Sequence, residues 1–332
     1  MSFMNKADII YFVIPCYNEE AVLGLTASVL HQKLVEFIKN DKASSESRIL
    51  FVDDGSGDST WNMIKTLSQQ SDLFTGIKLS RNKGHQQALL AGLITAAEYA
   101  DAVISMDADL QDDISVLDKF LDEYYNGREI VYGVRTSREK DTFFKKFTAE
   151  GFYRLMAKMG VDIVFNHADC RLMSKRAIKF LEQYKEVNLF LRGIVPLIGL
   201  KSSVVAYGRN ERAAGSSKYS LKKMLNLAFD GITSFSIKPI RLVSFTGVFL
   251  ISVGFLALLA DLFGVVARLN INFNFILVSL MCFLFGVQIL SMGIVGEYIG
   301  KVYSEVKARP RYFVEESLVY KETETEYFQK VN

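Results

Sequence analysis

Apolar and polar positions before residue 240 alternate between two periods. Short apolar runs occur at Ile9–Pro15, Ile49–Asp53, Gly76–Ser80, Ala102–Asp107 and Ile130–Arg135, each the length of one buried strand. Between them lie stretches of helical period, Glu19–Lys39, Asp58–Gln70, His85–Tyr99 and Ser115–Asn126. Strands with helices between them predict βαβ units and a parallel sheet covered on both faces. Ligands in such sheets bind beyond the carboxyl ends of the strands. Pro15-Cys16-Tyr17-Asn18-Glu19, Val52-Asp53-Asp54-Gly55-Ser56 and Asp107-Ala108-Asp109 therefore converge on one crevice. No G-x-G-x-x-G follows the first strand, which argues against a dinucleotide-type phosphate loop.

The pattern changes near residue 240. Leu242 to Ala260 contains no charged residue, the apolar character resumes after Asp261 as far as Ala267, and a second uncharged run covers Ile271 to Gly296. Crossing a hydrocarbon core as a helix takes about 20 residues, so both runs are long enough. Lys218, Lys222, Lys223, Lys238 and Arg241 precede the first run, and Lys301, Lys307, Arg309 and Arg311 follow the second, with Arg268 alone between them. The positive-inside bias predicts both ends in the cytoplasm and a short external turn. Leu221, Met224, Leu225 and Ala228/Phe229 share one face of a preceding helix, the pattern of an element lying in the membrane interface. The expected organisation is a cytoplasmic domain over 1–218, a juxtamembrane amphipathic segment over 219–238, transmembrane helices over 239–268 and 273–297, and a cytoplasmic tail over 298–332. Within that tail, Arg311–Val314 is a candidate strand that pairs with its own sheet or with a neighbouring subunit.

Composition narrows the function classes. The 332-residue chain carries a formal net charge of +2, so no global basic field points to nucleic acid. Cys16, Cys170 and Cys282 lie far apart without C-x-x-C spacing, the usage of buried free thiols in a reducing compartment.

The chemistry concentrates in Ala102-Val103-Ile104-Ser105-Met106-Asp107-Ala108-Asp109-Leu110-Gln111. Carboxylates at the mouth of a buried strand need compensation. Asp107 and Asp109 point the same way, with Gln111 just beyond, and supply hard oxygen ligands for Mg²⁺ or Mn²⁺ together with a diphosphate. Read alone, D-x-D is equally a helix cap plus a solvated loop acid.

Nine segments in order carry a resemblance that covers nearly the whole chain. They are P-C-Y-N-E at 15–19, V-D-D-G-S-G-D-S-T at 52–60, N-K-G-H-Q-Q-A-L-L-A-G-L at 82–93, D-A-D-L-Q at 107–111, V-Y-G-V-R at 131–135, H-A-D-C-R-L at 167–172, R-A-A-G-S-S-K-Y at 212–219, F-D-G-I-T-S-F-S at 229–236 and G-E-Y-I-G-K-V-Y at 296–303. Together with the two apolar runs they resemble glycosyltransferase family 2, and within it the polyprenyl-phosphate hexosyltransferases, the group of dolichol-phosphate mannose synthase and the bactoprenol glucosyltransferases. Asp112-Asp113-Ile114 departs from the proline-containing turn of many relatives.

The resemblance implies an α/β, Rossmann-like GT-A nucleotide-sugar domain followed by a two-helix transmembrane hairpin. It implies donor contacts from Pro15, Tyr17, Glu19, Val52, Asp53, Asp54, Asp107 and Ala108, and metal ligation by Asp107, Asp109 and Gln111. Asp109 and Asp169 are the implied catalytic carboxylates, Asp169 on the acceptor side. Arg135, Arg212 and Lys218 are implied at the phosphates, where guanidinium groups bind in a bidentate way, while Lys222 and Lys223 read as leaflet-facing charge. Arg138 matches this pattern less closely. A phosphate monoester is largely dianionic at neutral pH, its second pKa lying near 6. Asp169 is therefore expected to orient Arg171 or other groups rather than to act as an obligatory base.

The expected activity is inverting, metal-dependent transfer of a hexose from a nucleotide diphosphate sugar, UDP-glucose first, to undecaprenyl phosphate at the cytoplasmic face of the cell membrane. N-acetylglucosamine, galactose, mannose and an aminoarabinose derivative are the alternative sugars. The expected partners are the nucleotide sugar, the polyprenyl phosphate, the membrane and further copies of the chain, a tetramer being the candidate assembly; nucleic acid is not among them. A processive polysaccharide synthase would need a Q-x-x-R-W motif, yet the single tryptophan, Trp61, follows Ser59-Thr60. A non-catalytic membrane subunit would leave the acidic crevice without a purpose.

Overall fold

The computed structural model describes residues 7–135, 167–186, 189–208 and 273–319, together with Val243, Phe245 and Phe249. The chain divides into two compact units, residues 1–151 with 163–219 and 310–332, and residues 152–162 with 220–309.

The first unit is built on an eight-stranded sheet in the order β7-β5-β6-β4-β1-β2-β3-β8. Its strands are β1 (Ile10–Cys16), β2 (Arg48–Asp53), β3 (Phe74–Leu79), β4 (Ala102–Ser105), β5 (Ile130–Arg135), β6 (His167–Ser174), β7 (Ser202–Tyr207) and β8 (Val314–Ser317). The helices are α1 (Glu20–Lys39), α2 (Thr60–Gln70), α3 (His85–Tyr99), α4 (Val116–Tyr125), α5 (Lys175–Glu182) and α6 (Leu191–Leu197). Every residue of β1 is buried, the mark of a strand covered on both faces. In α1, Leu23, Ala27, Leu30, Leu34 and Phe37 recur at steps of three and four and are buried, a stripe that packs on the sheet. By length and composition α1 is long and apolar enough to cross a membrane; its buried stripe in the core cluster makes it a core helix.

The five expected strands and four expected helices form, with ends shifted by up to two residues. The sheet, however, is mixed. β1 pairs in parallel with β2 and β4, β2 with β3, and β5 with β7. β6 lies between β4 and β5 and runs antiparallel to both, and β8 runs antiparallel to β3. The period-two pattern is the same for either direction, so apolar runs alone do not reveal this reversal. Its consequence is functional: β1, β2, β4 and β5 end at the edge of the sheet where β6 begins.

β8 pairs with this chain's own sheet and starts at Val314, the last residue of the Arg311–Val314 run expected to carry it. The Arg311 guanidinium donates to the Tyr184 carbonyl, which holds the approach to the strand. Lys78 meets Glu315 at 2.9 Å, and Lys65 pairs with Glu316, so β8 covers what would otherwise be the open edge of β3.

In the second unit, α7 (Phe273–Val306) is one unbroken helix of 34 residues, about 50 Å long. It contains the apolar stretch expected over 273–297 and continues past it. Val243, Phe245 and Phe249 are helical within the stretch expected as the first span, and both phenylalanines are exposed. The amphipathic segment at 219–238 lies outside the described residues.

Candidate functional site

Strand register brings the first two motifs together: Pro15 lies opposite Val52 and Cys16 opposite Asp53. Beyond the strands the loops are laced. Asn18 N–H donates to Ser56 Oγ at 3.0 Å, Gly57 N–H to Asn18 Oδ1 at 2.9 Å, and Glu19 N–H to Thr60 Oγ1 at 2.9 Å. Tyr17 is 42 % exposed. Asp53 is buried and accepts from Ser56 N–H; burial pushes its carboxyl up.

Asp54 organises the next motif. Its Oδ1 accepts from Lys83 N–H at 2.7 Å and its Oδ2 from Gly84 N–H at 2.9 Å. Gly84, at φ +89°, turns the chain into α3, a conformation glycine adopts without steric cost. The turn sets His85 and Gln86 at the rim of the crevice. His85 Nε2 stands 3.7 Å from Asp107 Oδ1 and 3.7 Å from Asp169 Oδ2.

Asp107 follows β4, and Ser105 Oγ donates to the Asp169 carbonyl at 2.8 Å, which ties the two acidic positions together across β4 and β6. Burial at the strand mouth pushes the Asp107 carboxyl up to about 6; His85 opposes this, and Asp169, Asp112 and Asp109 reinforce it. Asp109 Oδ1 accepts from Gln111 N–H at 3.2 Å, so the D-x-D closes on itself as a tight turn.

Asp169 has a different environment. Arg192 on α6 grips it with Nε on Oδ1 at 3.1 Å and Nη2 on Oδ2 at 2.8 Å, and Arg171 Nη2 reaches Oδ1 at 3.3 Å. Burial raises the Asp169 carboxyl, but Arg192, His85 and Arg171 outweigh it and hold the group well below the usual carboxylate range. α6 is itself placed by the α3 turn, since Leu191 N–H donates to Gln86 Oε1 at 2.8 Å.

The structure therefore brings Pro15, Tyr17, Glu19, Val52, Asp53, Asp54, Asp107, Ala108, Asp109, Gln111 and Asp169 to one edge of the sheet. Arg135 ends β5 at that edge, opposite Tyr207 of β7. Arg212, Lys218 and Arg138 lie outside the described residues. Three contributors were not singled out from sequence: His85, Gln86 and Arg192. His85 and Gln86 had a usable signal, as polar residues opening a helix just after a strand end. Arg192 had none, because only the folded chain returns α6 to the start of β6.

One His85 nitrogen and one oxygen from each of Asp107 and Asp169 lie within 4.8 Å of one another. Asp169 is already engaged by two guanidiniums, so the cation-accepting side of this cluster is Asp107. Carboxylate oxygens with an imidazole beside them suit Mg²⁺ or Mn²⁺.

Residues 11–181 match glycosyl transferase family 2, and residues 238–302 match the GtrB C-terminal hairpin. The chain belongs to glycosyl transferase family 2. An uncharacterized glycosyltransferase of Bacillus subtilis, YkoT, is 50% identical over 311 residues, covering 92% of this chain and 91% of the relative. A bactoprenol glucosyl transferase of Shigella phage SfX is 38% identical over 311 residues, covering 92% of this chain and 98% of the relative. Among solved structures, glucosyl-3-phosphoglycerate synthase of Mycobacterium tuberculosis, in complex with Mn²⁺, UDP and phosphoglyceric acid, superposes with a TM-score of 0.44 at 16% identity over 68% of this chain and 76% of that one. The mixed sheet with its acidic edge is the GT-A arrangement of this glycosyltransferase family.

Proposed function

We propose that this family 2 glycosyltransferase transfers glucose from UDP-glucose to undecaprenyl phosphate with inversion, at the cytoplasmic face of the cell membrane. The observation that carries the reading is the adjacency of two opposite environments. Asp107, its proton affinity raised, lies beside an Asp169 saturated by Arg192 and Arg171. One half of that edge suits a cation with its diphosphate, the other suits a second phosphate. The bactoprenol glucosyl transferase relatives and the hairpin match support a lipid phosphate as the acceptor.

In this reading Tyr17 covers the base, and Glu19 and Asp53 receive donor hydroxyls. Asp54 keeps the His85 turn in place. Asp107, Asp109 and Gln111 would hold Mg²⁺ or Mn²⁺, which when bound offsets negative charge on the leaving diphosphate. Arg135, Arg212 and Lys218 add positive charge around the phosphates. An acceptor phosphate oxygen attacks the sugar's anomeric carbon from the face opposite the nucleotide. The carbon–oxygen bond to UDP breaks, and UDP leaves with the bonding electron pair. The nucleophile carries its own charge, so no proton has to be removed at neutral pH. Asp169, held by two guanidiniums, orients them and is not required as a base. The hairpin over 238–302, which contains most of α7, would anchor the chain in the membrane that carries the lipid phosphate. The working assembly is a homo-oligomer.

The deciding experiment incubates the purified full-length protein with undecaprenyl phosphate and a panel of labelled sugar nucleotides. Label enters the lipid fraction from UDP-glucose, and the product releases glucose on mild acid. Transfer from another donor alone would replace glucose while leaving the class intact; no lipid-linked label from any donor would overturn the reading. Asp109→Ala abolishes transfer while leaving the protein folded in detergent. Unimpaired wild-type turnover in excess chelator would remove the metal assignment.

A further inference from the structure

The D-x-D turn is under strain and is pinned from two sides. Leu110, between Asp109 and Gln111, has φ +52°, a left-handed conformation that a branched side chain adopts only when its surroundings impose it. On one side of it, Thr26 Oγ1 of α1 donates to the Ala108 carbonyl at 2.6 Å. On the other, Tyr207 Oη, at the end of β7, donates to Asp112 Oδ1 at 2.6 Å, with both residues buried.

Tyr207 reaches Asp112 because β5 makes room for its ring. A Cβ on Gly133 would lie 2.8 Å from Tyr207 Cε1 and 2.7 Å from the Cys170 carbonyl oxygen. The glycine of V-Y-G-V-R thus has a steric reason that its position in the motif does not announce. The chain passes over a side-chain-free point of β5, and the hydroxyl arrives at the far end of the D-x-D turn.

We propose that Tyr207 is a positioning residue for the D-x-D turn, its hydroxyl on Asp112 holding the strained Leu110 conformation in which Asp107 and Asp109 are presented at the mouth of β4. The role rests on the reading that this turn carries the cation and diphosphate, and it adds a dependence on β7, the strand that leads into the segment containing Arg212 and Lys218. Without the hydroxyl, Leu110 relaxes toward negative φ and the turn opens more often.

The test measures hydrogen exchange over residues 106–113 in the full-length, metal-free protein in detergent, alongside Mn²⁺-dependent UDP binding by calorimetry. Tyr207→Phe keeps the ring and removes only the hydroxyl. Exchange in that turn should quicken about tenfold or more, the scale of a lost hydrogen bond to a charged acceptor, while the rest of the sheet stays protected. Mn²⁺-UDP affinity should weaken by a similar factor. Adding Leu110→Gly, which accepts positive φ without strain, should recover a large part of both losses. Unchanged exchange in Tyr207→Phe, loosening across the entire sheet, or no recovery with Leu110→Gly would each overturn the proposal. A wild-type protein that binds no Mn²⁺-UDP but shows the exchange pattern would overturn the metal reading and leave the positioning role standing.

Discussion

Arg192 and Asp169 form a two-point ion pair, Nε to Oδ1 at 3.1 Å and Nη2 to Oδ2 at 2.8 Å, and in the proposed reading this pair decides how the acceptor side of the crevice can work. A carboxylate gripped in this bidentate way and also touched by Arg171 is a weak proton acceptor. Its guanidiniums, by contrast, are held at fixed positions on the carboxylate. Arg171 is almost fully buried, so it depends on Asp169 for charge balance. Arg192 is partly exposed.

Asp169→Asn should therefore affect stability more than the presence of chemistry. Leaving Arg171 buried without its counter-charge costs about 3–5 kcal/mol, read as a lower thermal midpoint in detergent. Transfer should persist at a reduced rate, rising as pH passes the acceptor phosphate's second pKa near 6. Complete inactivity between about pH 6 and about pH 9, with donor binding intact, would make Asp169 the obligatory base.

Much of this was legible in the chain because burial and period coincide. β5 and α3 occur over the residues the pattern marks, Ile130–Arg135 and His85–Tyr99. β6 and β7 were not legible as strands. Asp169 and Arg171 place charge in β6, and β7 opens on Ser202 and Ser203 and leaves Val204 and Ala206 exposed at the sheet edge, burying only Val205 and Tyr207, so neither reads as a long apolar run. At the site, the carboxylates announced themselves because charge at a strand mouth is costly. Arg192 did not, because its place depends on α6 meeting α3 through Leu191 and Gln86, 105 residues apart in sequence. Asp54 was read as a donor contact; both its oxygens also organise the turn of Lys83 and Gly84.

A pH dependence follows from Asp107. Its carboxyl is raised to about 6 by burial, with neighbouring acids adding to the effect. In the metal-free protein this group adds stability that is fully present below its ordinary value near 4 and is lost as pH rises through about 6. A cation competes with that same proton. Apparent Mn²⁺ affinity should then fall about tenfold for each unit of pH below 6. Asp107→Asn removes both effects: the stability of the metal-free protein no longer falls as pH rises through about 6, and Mn²⁺ binding is lost. Calorimetric titrations across that pH range check it, and a flat affinity profile would show that Asp107 is not the controlling ligand.

Gln86 should be energetically coupled to Arg192. Gln86→Ala removes the acceptor for Leu191 N–H and costs about 1 kcal/mol, while freeing the start of α6. If Gln86 acts by placing Arg192, the double variant with Arg192→Ala loses less activity than the two single losses combined. A coupling of about 0.5–3 kcal/mol is the range for residues in one network. Transfer assays on the four proteins of the cycle measure it. Additivity would show that the two residues act separately.

Arg212, Lys218 and Lys223 lie close together in sequence yet have different expected roles. In the proposed reading Arg212 and Lys218 stand at the phosphates, whereas the charge of Lys223 would serve attraction to anionic lipid. A charge-assisted phosphate contact is worth about 1.5–3 kcal/mol, and one basic residue near an anionic leaflet about 1 kcal/mol. Arg212→Ala or Lys218→Ala should therefore lower kcat/KM by roughly tenfold to a hundredfold. Lys223→Ala should cost less, and its loss should shrink when anionic lipid is left out of the micelles. Measuring the three variants in neutral and anionic mixed micelles separates the effects. Equal small losses that vanish together in neutral micelles would assign all three residues to the leaflet.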